Sequence, residues 1–223
     1  MVRALLDGRK TQTRRIVKPR RHASLFAIED DGSPVWADSY IMDPGNAEWR
    51  MRDNPYGVPG DRLWVKETHA VVPRTAYAMS EGVQQTLRPD DNHDAAVYFA
   101  DWERSKPGRW RPSIHMPRWA CRLVLEITDV RVERLQAINE ADAASEGVRR
   151  IGEEYPSFAA PGSAWHKGPN LWTVDMDSSS FNAPTAAEAF QMLWEHINGA
   201  GSWDANPWVW AVSFRVVEQR GAN

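Results

Sequence analysis

Apolar residues recur along this 223-residue chain in two rhythms, separated by long stretches that keep neither. Alternation of period two marks strands, and a 3.6-residue recurrence marks helices. The alternation is longest in LVLEITDVRVERL, where Leu123, Leu125 and Ile127, then Val130 and Val132, alternate with positions expected to be polar or exposed. It returns at the end of the chain in PWVWAVSFRVV, placing Trp208, Trp210, Val212, Phe214 and Val216 on one face. Shorter strands are predicted at 63–68, after a Pro59-Gly60 turn, and at 95–100.

The helical rhythm is clearest after Thr185, which forms a T-x-x-E box with Glu188. Ala186, Ala189, Phe190, Leu193, Trp194 and Ile197 then share one face, and Gly199 ends the helix. A second helix is predicted in INEADAASEGV, with Asn139 as N-cap, Asp142 in its first turn and Gly147 as its stop. A short one starts the sequence, with Val2, Leu5 and Leu6 on one side and Gly8 as its stop. Residues 20–55 and 149–183 are rich in Gly, Pro, Asp and Ser and read as insertions, the first with a small hairpin. Residues 73–94 read as irregular. This order predicts an α+β fold: one domain over 1–223, with a small mixed sheet or barrel flanked by short helices.

Composition removes several function classes. One cysteine, Cys121, cannot build a disulfide framework or a Cys-rich zinc site, and fits a reducing, cytoplasmic setting. No apolar run approaches the ~18 residues of a membrane span, and no signal-peptide pattern follows Met1. A phosphate-loop motif, a dinucleotide fingerprint, H-E-x-x-H and G-x-S-x-G are all absent, and the six histidines lack metal-ligand spacing. Neither cofactor nor metal is therefore expected, and a monomer is the default. The 12 tryptophans are many for this length and suit stacking on planar ligands.

Charge changes the picture more than composition does. Net charge is −3, yet residues 1–21 hold eight Lys/Arg against Asp7 alone, which leaves the remainder at −10. A second basic stretch, residues 102–122, interleaves six Lys/Arg with Trp102, Trp110 and Trp119. Local basic runs in an acidic chain point to a localised anionic partner, or to solvated faces.

Within the first run, Lys10 and Thr13 stand three apart. In a straight strand they would face opposite ways, so they meet only if the chain bends between Gly8 and Thr13. Brought together, they would pair an amine with a hydroxyl nucleophile. Lysine is a poor base near its reference pKa of ~10.4, but burial and the charges of Arg14 and Arg15 would lower it. Glu146 ends its predicted helix where the macrodipole disfavours a carboxylate, and a cation such as Lys10 would relieve that. A solvated glutamate and a solvated basic tail are the structural alternatives.

Taken in order, these pieces resemble the ASCH family of the PUA-like superfamily. The matching residues are Gly8 to Arg15 after a short helix, Pro59-Gly60-Asp61 before a strand, Leu135 to Glu140, Ala143 and Glu146-Gly147. The closing LWEHING and NPWVWAVSFRVV resemble tryptophan-rich members found in phages and prophages. The likeness covers about two thirds of the chain and omits both insertions. Relatives carry a strand before the first helix, and this sequence starts at the helix.

The resemblance implies a PUA-like small mixed β-barrel with a cleft for nucleosides or RNA. It also implies a metal-independent amidohydrolase of N4-acylated cytidines. Carried over, Thr13 is the nucleophile, Lys10 the base and Glu146 the acid/base partner, with Arg15 on the oxyanion. Arg14 and Arg15 are the candidate substrate-binding cations, and Trp64 and Trp203 the candidate stacking rings. The alternatives are a non-catalytic RNA- or nucleotide-binding module using Arg14, Arg15, Lys18, Arg109 and Arg111, and a ribonuclease acting through the substrate 2′-OH.

Overall fold

A computed structural model describes residues 2–17, 23–28, 34–38, 55–77, 80, 83–102, 107–151, 171–175 and 180–219. Much of the two expected insertions lies outside the described residues. Three α-helices are present there: α1 (Val2–Leu6), α2 (Glu140–Ser145) and α3 (Ala186–Asn198). Two long strands, β8 (Leu123–Arg134) and β12 (Trp208–Gln219), coincide with the two best alternating segments. They sit side by side in a four-stranded sheet of order β1-β12-β8-β4, with β1 at Gln12–Ile16 and β4 at Arg62–Trp64.

The remaining strands form separate small antiparallel sheets. One pairs β2 (Ala23–Ile28) with β3 (Pro34–Asp38). Another orders β5 (His69–Pro73), β7 (Asp94–Tyr98) and β6 (Thr86–Leu87) as β5-β7-β6. The last orders β9 (Arg149–Ile151), β10 (Leu171–Asp175) and β11 (Ser180–Ala183) as β11-β10-β9. The expected closed PUA-like barrel is therefore corrected: the sheets are open. Closure needs two edges that can exchange a full ladder, and one edge of the largest sheet is the three-residue β4. β5 to β7 satisfy their backbone groups with one another, including within the stretch expected to be irregular.

By contact the chain divides into two compact units, one built on Arg3–Val58 and Asp129–Ser213, the other on Pro59–Thr128 and the chain from Phe214. The core of the first unit is the apolar face of α3, with Ala186, Ala189, Phe190, Leu193 and Trp194 packed on Leu135, Ile138, Ala143, Val174 and Val209. Full burial of side chains such as Phe190 and Leu193 contributes about 1.5–3 kcal/mol each. Ile197, in the last turn of the predicted apolar face, is instead exposed. Thr185 caps α3 by accepting from Glu188 N (3.2 Å). Glu140 adds a second cap, its carboxylate accepting from Ala186 N (2.8 Å) and Ala187 N (3.2 Å), and so ties the start of α2 to the start of α3.

In the second unit, Ala96, Tyr98, Met116, Ala120, Cys121 and Val124 form one core cluster. A buried Arg122 donates through Nε and Nη2 to the two oxygens of Glu67 (2.9 and 2.7 Å) and lies 4.0 Å from the Tyr98 ring centroid. No helix of the described residues is long and apolar enough to cross a membrane.

Candidate functional site

The chain enters β1 through a bend. Gly8, at φ +70°, ends α1, and Lys10 N donates back to the Ala4 carbonyl (2.9 Å). Lys10 then forms an isolated antiparallel bridge with Glu146, and Thr11 N donates to the Ser145 carbonyl (2.8 Å). From Gln12 onward the same backbone pairs with β12, Gln12 lying opposite Ser213. Residues 10 and 11 are thereby stitched to the end of α2, and residues 12–16 to the last strand.

Alternation then sorts the side chains into two sets. Lys10, Gln12 and Arg14 are buried, at 5%, 4% and 2% exposure. Thr13 is half-buried and Arg15 exposed. Burying charge is tolerated only where partners compensate it, and here the partners are present.

Lys10 Nζ donates to Glu146 Oε2 (2.7 Å) and to the Glu146 carbonyl (2.8 Å). Arg14 Nη1 donates to Glu146 Oε1 (3.3 Å) and to Gln12 Oε1 (2.6 Å). Its Nε and Nη2 converge on Glu133 Oε1 (3.0 and 2.6 Å), and Nη2 also reaches Asp142 Oδ2 (3.1 Å). Arg131 closes the ring, with Nε on Glu133 Oε2 (3.0 Å) and Nη2 on Asp142 Oδ2 (2.8 Å). Gln12 Nε2 donates to Asp142 Oδ1 (3.3 Å) and Ser213 Oγ (3.1 Å).

The electrostatics of Lys10 follow from this enclosure. Burial pushes its ammonium below the ordinary lysine value, Glu146 opposes the shift, and the charges of Arg15 and Arg14 add to it. Arg15 thus lies within electrostatic reach of the amine although it belongs to the other set. Its Nη1 donates to Thr13 Oγ1 (2.8 Å) and to the Arg14 carbonyl (2.9 Å). Tyr56 is half-buried within reach of the same guanidinium, and burial holds its phenol protonated above the usual tyrosine value.

Gly147 makes the approach of Lys10 to α2 possible. Its φ is +99°, and a Cβ there would stand 3.1 Å from Ala4 Cβ and 3.3 Å from Lys10 Cβ. Its carbonyl accepts from Arg9 Nη1 (3.1 Å). A residue with a side chain would be strained at this φ and would press on the lysine stem.

Of the residues singled out from the sequence, Lys10 and Glu146 are in direct contact, and Thr13 is held by Arg15 rather than by Lys10. Arg14, expected to bind substrate, is committed to Gln12, Glu133, Asp142 and Glu146 inside the protein. Trp203 packs against Phe190 of the core (ring centroids 6.4 Å apart). Trp64 belongs to the second unit, where Lys66 Nζ and Arg118 Cζ lie 4.9 and 5.2 Å from its ring centroid. Arg109 and Arg111 are exposed in that unit, and Lys18 lies outside the described residues.

Sequence reasoning did not single out Gln12, Arg131, Glu133 or Asp142 as site residues. The signal available was the strict period of Lys10, Gln12 and Arg14, three polar side chains at alternate positions that a buried strand face must match with carboxylates. Asp142 and Glu146, one helical turn apart, supply part of that match. Among the described residues no group of three or more His, Cys, Asp and Glu is arranged to hold a metal ion. No family model matches the chain, and neither a curated protein nor a solved structure matches it.

Proposed function

We propose that this site hydrolyses the amide of an N4-acylated cytidine or a closely related acylated nucleobase. The observation that carries the reading is the buried Lys10–Glu146 pair at 2.7 Å, at the foot of a strand that holds the Thr13 hydroxyl beside Arg15. A lysine stripped of water and flanked by two guanidinium groups is poised to act as a base, and Glu146 Oε2 is the acceptor for the proton it must first give up.

In the reaction, the Thr13 hydroxyl must turn from Arg15 toward Lys10 Nζ, which takes the Oγ proton as the Oγ–C bond to the acyl carbon forms. The carbonyl electron pair moves to oxygen, where Arg15 supplies the stabilising N–H. Collapse breaks the bond from carbon to the exocyclic N4, and Lys10 returns its proton to that nitrogen. Water then repeats the sequence on the Thr13 ester, releasing the carboxylic acid and restoring the hydroxyl. Base catalysis of this kind contributes about 10²–10⁴-fold.

Every step uses a protein group, so release of cytidine from N4-acetylcytidine is expected in the presence of EDTA. Thr13→Ala and Lys10→Ala should each fold and lose at least ~10²-fold in kcat/KM. Wild-type turnover in either variant would remove the nucleophile–base assignment.

A second reading, binding of single-stranded nucleic acid, is favoured by a different observation. Arg109 and Arg111 are exposed and make no ion pair among the described residues. Affinity that falls steeply with added salt, with acylated nucleosides left intact, is its signature.

A further inference from the structure

The Lys10–Glu146 pair is one end of a larger charged set. Lys10, Arg14 and Arg131 face Glu133, Asp142 and Glu146, so the set is neutral while the Lys10 proton stays on Lys10 or passes to Glu146, and carries −1 once that proton leaves to solvent. Arg14 is the hub, fully enclosed and touching all three carboxylates. Arginine does not lose its proton in proteins, so this is a fixed positive charge in a medium that screens poorly.

We propose that Arg14 is a positioning residue whose fixed charge, anchored by Glu133 and Asp142, sets the place of the Glu146 carboxylate and, beside burial and Arg15, contributes to the pH at which Lys10 yields its proton. The anchor is specific: two nitrogens converge on one Glu133 oxygen, and Arg131 grips the opposite oxygen. The guanidinium therefore cannot rotate away from Glu146 without breaking that grip. Its Nη1 contact holds Glu146 Oε1, which leaves Oε2 for Lys10. Among the described residues, the charged groups that face Lys10 are Glu146 from the end of α2 and Arg14 and Arg15 from β1, with Asp142 of α2 and Glu133 and Arg131 of β8 acting through Arg14.

The signs follow from Coulomb's law. Removing the charge at Arg14 makes the deprotonated state less favourable, so Lys10 titrates at higher pH. Removing the charge at Asp142 strengthens the effective charge of Arg14, so Lys10 titrates at lower pH. An arginine that merely filled space would produce neither shift, and certainly not shifts of opposite sign.

This inference rests on the amidohydrolase reading for its consequence in turnover, and the titration of Lys10 tests it separately. The chain holds five lysines, so isotope-labelled lysine resolves Lys10 by NMR, with Lys10→Met to assign it. The titration would be run on wild type, Arg14→Gln, Arg14→Lys and Asp142→Asn, beside the pH dependence of kcat/KM on N4-acetylcytidine. Arg14→Gln should raise the Lys10 midpoint. Arg14→Lys should return it toward the wild-type value, and Asp142→Asn should lower it. The ascending limb of kcat/KM should follow each change.

If Arg14→Gln does not fold, Asp142→Asn still decides the matter by the sign of its shift. An unchanged Lys10 midpoint in the folded charge-removing variants, Arg14→Gln and Asp142→Asn, overturns the proposal, even if the protein hydrolyses the nucleoside. The expected shifts in a protein without hydrolysis would uphold the role of Arg14 and remove the amidohydrolase reading instead.

Discussion

Gly147→Ala is the sharpest single perturbation of the site, because it changes one methyl group and the structure states what that methyl meets. Two penalties combine. A residue other than glycine at φ +99° is strained by about 1–3 kcal/mol. The new Cβ would stand 3.1 Å from Ala4 Cβ and 3.3 Å from Lys10 Cβ, and overpacking of this kind adds about 1–3 kcal/mol. The total is about 2–6 kcal/mol.

Gly60→Ala separates the two penalties. Gly60 has nearly the same φ, +95°, yet nothing lies within 4 Å of its added Cβ. Denaturant unfolding of both variants should therefore show Gly147→Ala to be the less stable by the crowding share alone. Its kcat/KM on N4-acetylcytidine should fall ten- to a hundredfold, since the lysine stem must give way and misplacement by about 1 Å is worth about 10² in rate. Gly60→Ala should leave kcat/KM unchanged. Equal destabilisation of the two variants, with full activity in Gly147→Ala, would refute the claim that Gly147 is there to seat Lys10.

Three further outcomes follow from the structure. Glu140→Ala frees the amides of Ala186 and Ala187 at the start of α3 and should lower unfolding free energy by about 1–2 kcal/mol, without moving the pH profile of catalysis. Arg122→Met leaves Glu67 charged and buried, which should cost about 3–5 kcal/mol in denaturant unfolding, and adding Glu67→Leu should restore most of it. His69 is fully buried, and its Nε2 has no hydrogen-bond partner among the described residues. Burial holds its imidazole below the ordinary 6.5, so the unfolded chain binds more protons just under that pH. Stability is therefore complete above pH 6.5 and falls as the pH drops toward the folded value, a slope that His69→Gln should flatten in unfolding measured stepwise with pH.

The parts legible in the sequence are those written in neighbouring residues. Asn139 accepts from Asp142 N (2.9 Å), Thr185 caps α3, and Gly147 and Gly199 take the positive φ values that helix stops favour. β8 and β12 each run twelve residues because their alternation is long enough to specify a strand unaided.

What escaped the sequence depends on partners far away. β1 pairs with a strand some two hundred positions later, Gln12 opposite Ser213, and no local pattern encodes that register. The closed barrel failed for the same reason, since closure is a property of edges that only the whole sheet decides. Val209 and Ala211 show the limit of a one-face reading, for both are fully buried between the residues assigned to the core face. Arg14 reads as a substrate ligand in the sequence, where a run of cations suggests a surface. Its burial became intelligible only once Glu133, Asp142 and Glu146 had been brought around it.

The most direct measurement is to quench the protein during turnover of N4-acetylcytidine and map any acetyl group by peptide mass analysis. An acetyl ester on Thr13, absent in Thr13→Ala and accumulating when the second step is slowed, is the expected result. Cytidine release at the wild-type rate by Thr13→Ala, with no acylated residue in either protein, would contradict it.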